Sequence, residues 1–399
     1  MIRHLFYNIF TELNAIFRDP GVLIVMVGAV VFYSFIYPLP YSREVLKQVP
    51  LTIVDHDNSP LSRQLARMTD ASELIRVVSR EPDMEQARRK IESRKSSGIL
   101  VIPDGFEKEV LQGRKTHVSA YVDATYFLVY RQAMTGIVMT ARTLSAGIEV
   151  SRFKARGWSH EKAMIDRSPL NLESRSLFNP YMGYATYIVP AVLLLLLQQT
   201  MLIGIGMLSG TRREQLQEKK AVILLQGGPL VRILGQTIAC MALYLIHIYF
   251  FYAVVYQIWD FPLRVRVLDM FVFLFPFLLS VVLMGQFLAT FFKTRESAII
   301  MIVWSSMVAV LISGFSWPVE AMPHWIRAIS MLLPSTWGIS GGLRMAQMGA
   351  SFEHVMDEWL CMWGLGFFYL FLAWICIRFM AKVPEKKLQS SRDDTITGY

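Results

Sequence analysis

Apolar residues gather into six runs, 22–40, 184–208, 233–259, 268–292, 298–315 and 359–380. A helix needs roughly 20 apolar residues to cross the hydrocarbon layer, so each run predicts a membrane span. Ahead of the first run, Leu5, Phe6, Ile9, Phe10, Leu13, Ile16 and Phe17 recur at helical spacing with polar residues on the other face. That pattern predicts a helix over 1–21 lying in the membrane interface. Arg18-Asp19-Pro20 then turns the chain into the bilayer.

Between the first and second runs the period changes. Leu51-Thr52-Ile53-Val54-Asp55 reads as a buried strand, closed by His56-Asp57-Asn58-Ser59-Pro60. Further strands are expected at 75–78, 98–103 and 118–122, with helices after Ser59-Pro60, over 82–93, near Phe106–Leu111 and over about 127–156. Alternation of this kind predicts an α/β domain over 41–180. The chain thus reads as a polytopic α-helical membrane protein: six transmembrane helices, with an α/β domain inserted between the first span and the five-helix bundle of 181–380. The remainder, 381–399, reads as a charged, disordered tail.

The stretch 316–350 fits neither pattern. It holds Pro318, Glu320, Met322, Pro323, Pro334 and Arg344, too proline-broken to span and too apolar for a free loop. Such backbone is tolerated at membrane depth only against protein or a wet cavity, which predicts a half-inserted hairpin at one mouth of the bundle. A gate would sit there.

Composition agrees with a membrane protein: 54% of residues are hydrophobic, above the roughly 45–50% of soluble chains. The net charge of +9 is spread among acids or flanks the spans, so nucleic-acid binding is not indicated. Short-loop basic residues orient the chain. Arg3, Arg18, Arg212, Arg213, Lys219, Lys220, Arg232, Lys293, Arg295 and the tail lysines fall on one side, against Arg264, Arg266, Arg327 and Arg344 on the other. Both termini are therefore expected in the cytoplasm and 41–180 outside. The first span reads as an uncleaved signal anchor, because no small-x-small cleavage site follows it. Cys240, Cys361 and Cys376 all lie in spans, so neither a disulfide framework nor a metal site is expected.

Catalytic and energy-converting motifs are missing. No lysine follows a glycine, which excludes a phosphate-binding G-x-x-x-x-G-K-[ST] loop. H-E-x-x-H is absent too. The expectation is a chain that is not an enzyme. Gln198, Gln199, Gln236, Gln286 and His247 are polar groups inside spans. They are candidates for a translocation path, with helix–helix hydrogen bonding as the other reading. No series of carboxylates crosses the bilayer, which disfavours an ion-coupled carrier. A membrane receptor with an outer ligand-binding domain is a second alternative, although no cytoplasmic output domain is visible. The segment Gly210–Lys220 reads as a short charged helix in the loop after the second span, suited to docking a soluble partner.

In order along the chain, these parts resemble the permease subunits of type-2 ABC (ATP-binding-cassette) exporters with a large periplasmic domain. The resemblance rests on Ile53–Ser62, Ile102-Pro103-Asp104-Gly105-Phe106, Val110–Gly113, Val122-Asp123-Ala124-Thr125, Phe178-Asn179-Pro180, Val189-Pro190, Ser313–Pro323, Leu333-Pro334 and Arg344. It implies a multi-pass protein of the bacterial inner membrane, exporting a hydrophobic or amphipathic substrate. It implies two permease chains, identical or paralogous, above separate ATPase subunits that carry ATP and Mg; this chain itself has no cofactor. Arg18, Asp19, Arg212, Arg213, Glu214, Lys219 and Lys220 are the implied ATPase-coupling residues, and 316–350 the implied outer gate. A periplasmic adaptor and an outer-membrane channel are further implied partners. One departure concerns the loop after the second span. Gly210-Thr211 precedes Arg212-Arg213-Glu214, with Gly227-Gly228-Pro229 following later, an altered order that leaves open which residues touch the ATPase.

Overall fold

The structure, a computed structural model, describes residues 1–167, 176–180, 182–218 and 225–396, with side chains described as far as Phe379. Lys219 and Lys220 lie outside the described residues. The chain divides into two compact units, one of Met1–Glu44 with Ser176–Tyr399 and one of Val45–Arg175.

The first unit is helical. Helix α1 (Ile2–Arg18) ends at Asp19, whose carboxylate accepts from the N–H groups of Gly21 and Val22 at 3.0 and 3.1 Å and so caps the next helix. Among the described residues, six helices are long and apolar enough to span a membrane. In this unit they are α2 (Pro20–Tyr41), α8 (Tyr184–Gln217), α9 (Pro229–Ile258), α10 (Val267–Ala289), α11 (Arg295–Ile312) and α14, which runs Met356–Ile396 with its apolar part ending at Phe379. The six apolar runs of the sequence are these helices, displaced by a few residues at their ends. Helix α8 sits centrally, packed on α2, α10, α11 and on a shorter helix described below. Small residues let its neighbours approach closely. A Cβ on Gly206 would come within 3.0 Å of Ala298.

Two expectations need correction. The charged segment after Leu208 is not a separate helix: α8 continues unbroken to Gln217, because nothing between Leu208 and Gln217 is a strong helix breaker. The tail is not irregular either, since α14 extends through it to Ile396.

The second unit follows the alternation in the sequence. Strands β1 (Val49–Asp55), β2 (Ile75–Glu81), β3 (Gly98–Ile102) and β4 (Ser119–Val122) form one sheet in the order β2-β1-β3-β4. The first three are parallel and β4 is antiparallel. Parallel neighbours require crossovers, which α3 (Pro60–Asp70) and α4 (Met84–Glu92) supply. Side chains alternate across β1. Leu51 and Ile53 pack with Leu65 of α3 and with Ile137 and Leu144 of the long helix that follows β4; Val54 packs on the other face with Ala87 of α4. Burial on both faces explains why β1 reads as a near-continuous apolar run. Helix α5 (Phe106–Leu111), that long helix α6 (Phe127–Ala155) and α7 (His160–Arg167) complete the unit.

The turn after β1 is built by its own side chains. Asp55 accepts from the N–H groups of Asp57 and Asn58 and from the Ser62 hydroxyl, the last at 2.7 Å. Ser59 caps α3 by accepting from the Ser62 N–H at 3.0 Å, and Pro60 occupies the first helical position. Asp57 in turn accepts from the Glu107 N–H at 3.0 Å, tying Ile53–Ser62 to the Gly105-Phe106 start of α5. Ser59→Ala is expected to destabilise this unit by about 1 kcal/mol. Limited proteolysis of the full chain in detergent checks this, as faster cleavage within 45–175 at a fixed denaturant concentration.

Candidate functional site

Between α11 and α14 the chain forms two further helices, α12 (His324–Met331) and α13 (Pro334–Met348). Their positions and those of the charged loops define two ends of the helical unit. One carries α1, the last turns of α8, and the starts of α9 and α11. The other carries Pro318, Pro323 and the C-terminal end of α13.

At the α1 end, four separate stretches of chain are joined by polar contacts. Arg212 of α8 forms an ion pair with Glu12 of α1, a carboxylate only 1% exposed, and Gln236 of α9 donates to the same carboxylate at 3.3 Å. Asn8, one turn earlier on α1, donates to the carbonyl of Gln226 at 2.9 Å and accepts from its N–H at 2.8 Å, holding the entry to α9. Asp19 pairs with Arg295 at the start of α11, with one of the two contacts at 2.8 Å. Glu214 accepts from the Arg295 backbone N–H at 3.1 Å, and Arg213 donates to the carbonyls of Thr290 and Phe292. Of the residues expected to couple to a partner, Asp19, Arg212, Arg213 and Glu214 therefore meet here, and each bonds within the chain.

Arg18 is different. It is exposed at the edge of a 670 Å³ groove between α1 and α8, which Thr11, Asn14 and Gln215 also line. The Arg295 guanidinium beside Asp19 holds its carboxyl below the usual carboxylate range; partial burial opposes this and the N–H groups of Val22 and Gly21 reinforce it. The stabilisation from a depressed carboxylate is present above its unfolded value and lost as pH falls through the lowered one. The Asp19–Arg295 pair is therefore fully charged at neutral pH.

The sequence pattern missed Glu12 and Asn8. Their signal was a polar stripe at i, i+4 (Asn8, Glu12) on a helix otherwise rich in Phe and Ile. The stripe faces protein, together with Ile16, while Phe6, Phe10 and Phe17 are exposed on the opposite side.

At the other end, the half-inserted hairpin is a pair of short helices. Pro318, Glu320 and Pro323 are exposed on its approach and Met322 is buried. Ser330 donates to the Ile312 carbonyl at 2.6 Å, and Thr336 to the Ser330 carbonyl at 2.7 Å, pinning the turn between α12 and α13. Helix α13 runs antiparallel to α8. The Gln198 side chain accepts from the Ser335 N–H at 2.9 Å, and the Gln347 side chain donates to the Thr186 carbonyl at 2.7 Å. Twelve residues separate the two contacts on each helix, about 18 Å of rise. The N-terminus of α13, with Pro334 buried, is thus sunk in the bundle and its C-terminus reaches the mouth. Gly338 and Gly341 make this possible: a Cβ at either would overlap Phe277 or Phe273 of α10. Arg344, near the mouth, binds Glu358 at the start of α14 and the His354 carbonyl.

The remaining intramembrane polar residues divide. His247 contacts the Met26 carbonyl through Nε2 at 2.9 Å, inside the π-helical turn Ile24–Gly28 of α2, and packs edge-on against Tyr244. Gln286 donates to Ile233 and Thr237 of α9 at 3.3 and 3.1 Å. Both bridge helices. Gln198 and Gln199 sit on consecutive positions of α8, and each keeps one buried polar atom without a partner among the described residues.

This arrangement is a helical bundle with a polar, cross-braced end and a short helical hairpin packed into the other. Comparison with known proteins gives consistent results. A family profile described as ABC-2 family transporter protein matches residues 20–375. The chain is 24% identical over 376 residues to the inner membrane transport permease YhhJ of Escherichia coli, covering 92% of this chain and 95% of that one. It is 20% identical over 343 residues to the probable multidrug ABC transporter permease YbhR of the same organism, covering 84% and 87%. It is 22% identical over 362 residues to the linearmycin resistance permease protein LnrN of Bacillus subtilis, covering 86% and 91%.

Proposed function

This chain belongs to the ABC-2 family of transporter proteins, and from that membership we propose that it is the membrane subunit of an exporter driven by ATP hydrolysis on a separate chain. As a permease of an ABC transporter it is a multi-pass inner-membrane protein whose family implies ATP-binding-cassette ATPase partners. Both termini face the cytoplasm and the Val45–Arg175 unit faces the periplasm, which the excess of basic residues near the α1 end supports. Two such chains, identical or paralogous, pair in the membrane. A hydrophobic or amphipathic cargo leaves past the α12–α13 hairpin, and the outer unit recruits an adaptor and an outer-membrane channel.

The observation that carries this reading is the cross-braced end. The pairs Glu12–Arg212 and Asp19–Arg295, with Glu214 on the Arg295 N–H, join α1, α8 and α11. A push on α1 is then delivered to the central helix and, through α8, to the hairpin that Gln198 and Gln347 hold. The ATPase meets what stays exposed: the groove rim at Arg18 and the end of α8 beyond Gln215. ATP and Mg act on the ATPase, and this chain contributes the moving parts.

Co-purification tests the proposal. Membranes solubilised in mild detergent are expected to yield an ATPase subunit with this chain. Arg18→Glu should reduce the recovered ATPase at least fivefold while leaving the thermal midpoint of the permease within about a degree, since an exposed charge contributes little to folding. Recovery of the permease without any ATPase would refute the reading.

A further inference from the structure

The buried N-terminus of α13 carries an unfilled set of hydrogen-bond donors. Pro334 has no N–H, the Ser335 N–H is taken by Gln198 Oε1, and the Thr336 N–H bonds the Leu333 carbonyl at 3.1 Å. Two donors are left over. Gln198 Nε2 and Ser335 Oγ have no partner among the described residues, although Gln198 is 1% and Ser335 0% exposed. Leaving such groups unpaired in a bundle core is unfavourable, and native interiors rarely do so without an occupant. The neighbouring hydroxyls do not relieve them: Ser330 is committed to Ile312, and Thr336 to Ser330.

The geometry is selective. The 2.9 Å bond from the Ser335 N–H fixes the Gln198 amide against the helix end, so its NH₂ is anchored to the same residue that carries the free Ser335 hydroxyl. An amide NH₂ only donates, and the helix N-terminus adds partial positive charge. The site therefore favours an oxygen acceptor, and a negatively charged one most of all, as at other sites where short helices end inside a membrane. About 18 Å of helix separates it from the mouth, within an apolar bundle. A molecule whose head reaches it must have an apolar body.

We propose that Gln198 and the N-terminal turn of α13 form a binding site for the acidic oxygen head of an amphipathic molecule, with the hairpin that supplies Ser335 closing over it. This rests on reading the chain as an export permease and assigns the polar half of its cargo. The same contact would make release depend on the hairpin: lifting α13 takes the Ser335 hydroxyl and the positive helix end away from the head together.

Photolabelling of the full-length permease in lipid nanodiscs tests this. One probe is dodecanoate with a diazirine beside its carboxylate; the other is the matching dodecyltrimethylammonium. The carboxylate probe is expected to label peptides containing Gln198 and Ser335 saturably, with competition by unmodified dodecanoate. The ammonium probe should label them at least tenfold less. Gln198→Leu and Ser335→Ala should each reduce carboxylate labelling about tenfold or more, the usual effect of losing a hydrogen bond to a charged group. Should Gln198→Leu not fold, Ser335→Ala removes a single hydroxyl and gives the same readout. Equal labelling by both probes, labelling elsewhere in the chain, or labelling unchanged by Ser335→Ala would overturn the proposal, as would a site holding water alone. No ATPase is present in this experiment, so its failure leaves the exporter reading standing, and co-purification judges that reading separately.

Discussion

Arg212→Ala is expected to abolish export and to lower the stability of the helical unit by about 3–5 kcal/mol, the loss typical of stranding one member of a buried ion pair. The stranded group is Glu12, which is 1% exposed. Its one further hydrogen bond among the described residues, from Gln236, is 3.3 Å long and cannot replace a guanidinium. The carboxyl must either stay charged without a partner or take up a proton, and both weaken the hold of α1 on α8. Thermal midpoints and export of a fluorescent amphiphile from inverted vesicles read the two effects. The paired variant Glu12→Gln with Arg212→Gln separates a brace from a docking contact. With no carboxylate left stranded in the interior, a brace should regain most of the lost stability and part of the export. If Arg212 instead served to touch the ATPase, the double variant would be as inactive as the single one. Arg212→Ala within about 1 kcal/mol of the unmodified protein would remove the brace from the mechanism altogether.

The contrast between what periodicity gave and what it withheld is sharpest in α1. Spacing of Leu5, Ile9, Leu13 and Ile16 correctly marks an amphipathic helix. It does not say which face meets protein. In water the apolar stripe is the buried one. In α1 Phe6, Phe10 and Phe17 stay exposed and the protein takes the polar stripe instead, so Asn8 and Glu12 become the packing residues. The six spans were legible because length and hydropathy alone define them. The α/β alternation was legible because β1 and β3 are buried on both faces and Asp55, Ser59 and Gly105 punctuate them. The pairings at the α1 end were not, because Glu12 and Arg212 lie 200 positions apart and Asp19 and Arg295 lie 276 apart. A loop charge reads as topology signal whether or not it also has a partner. The hairpin was legible as a broken element, but not its depth: that is set by the match of Gln198 with Ser335 and Gln347 with Thr186, together with glycines whose small size matters only once Phe273 and Phe277 are placed.

Close packing where α8 meets the start of α11 leads to the second large effect. Gly210→Ala is expected to destabilise the helical unit by about 1–3 kcal/mol, the range for overpacking a tight contact. Its new methyl would lie 2.6 Å from Arg295 N and from the carbonyl carbon and oxygen of Thr294. These are backbone atoms and cannot rotate away, so the helices must separate. Separation loosens the Glu214 contact with the Arg295 N–H one turn further along α8, and strains the Thr294 capping box that starts α11. Export should fall with stability, because this junction is part of the proposed transmission from α1. Two other glycines set the scale. Gly204→Ala meets the Met26 side chain at 2.3 Å, a flexible thioether that can repack, and should cost less. Gly364→Ala has no atom within 4 Å and should be neutral or stabilising, since alanine exceeds glycine in helix propensity by about 1 kcal/mol. Thermal midpoints in one detergent should rank the variants Gly364→Ala, Gly204→Ala, Gly210→Ala from highest to lowest. If Gly210→Ala ranked with Gly364→Ala, α8 and α11 could not be in backbone contact here, and a push on α1 would need another route to the central helix.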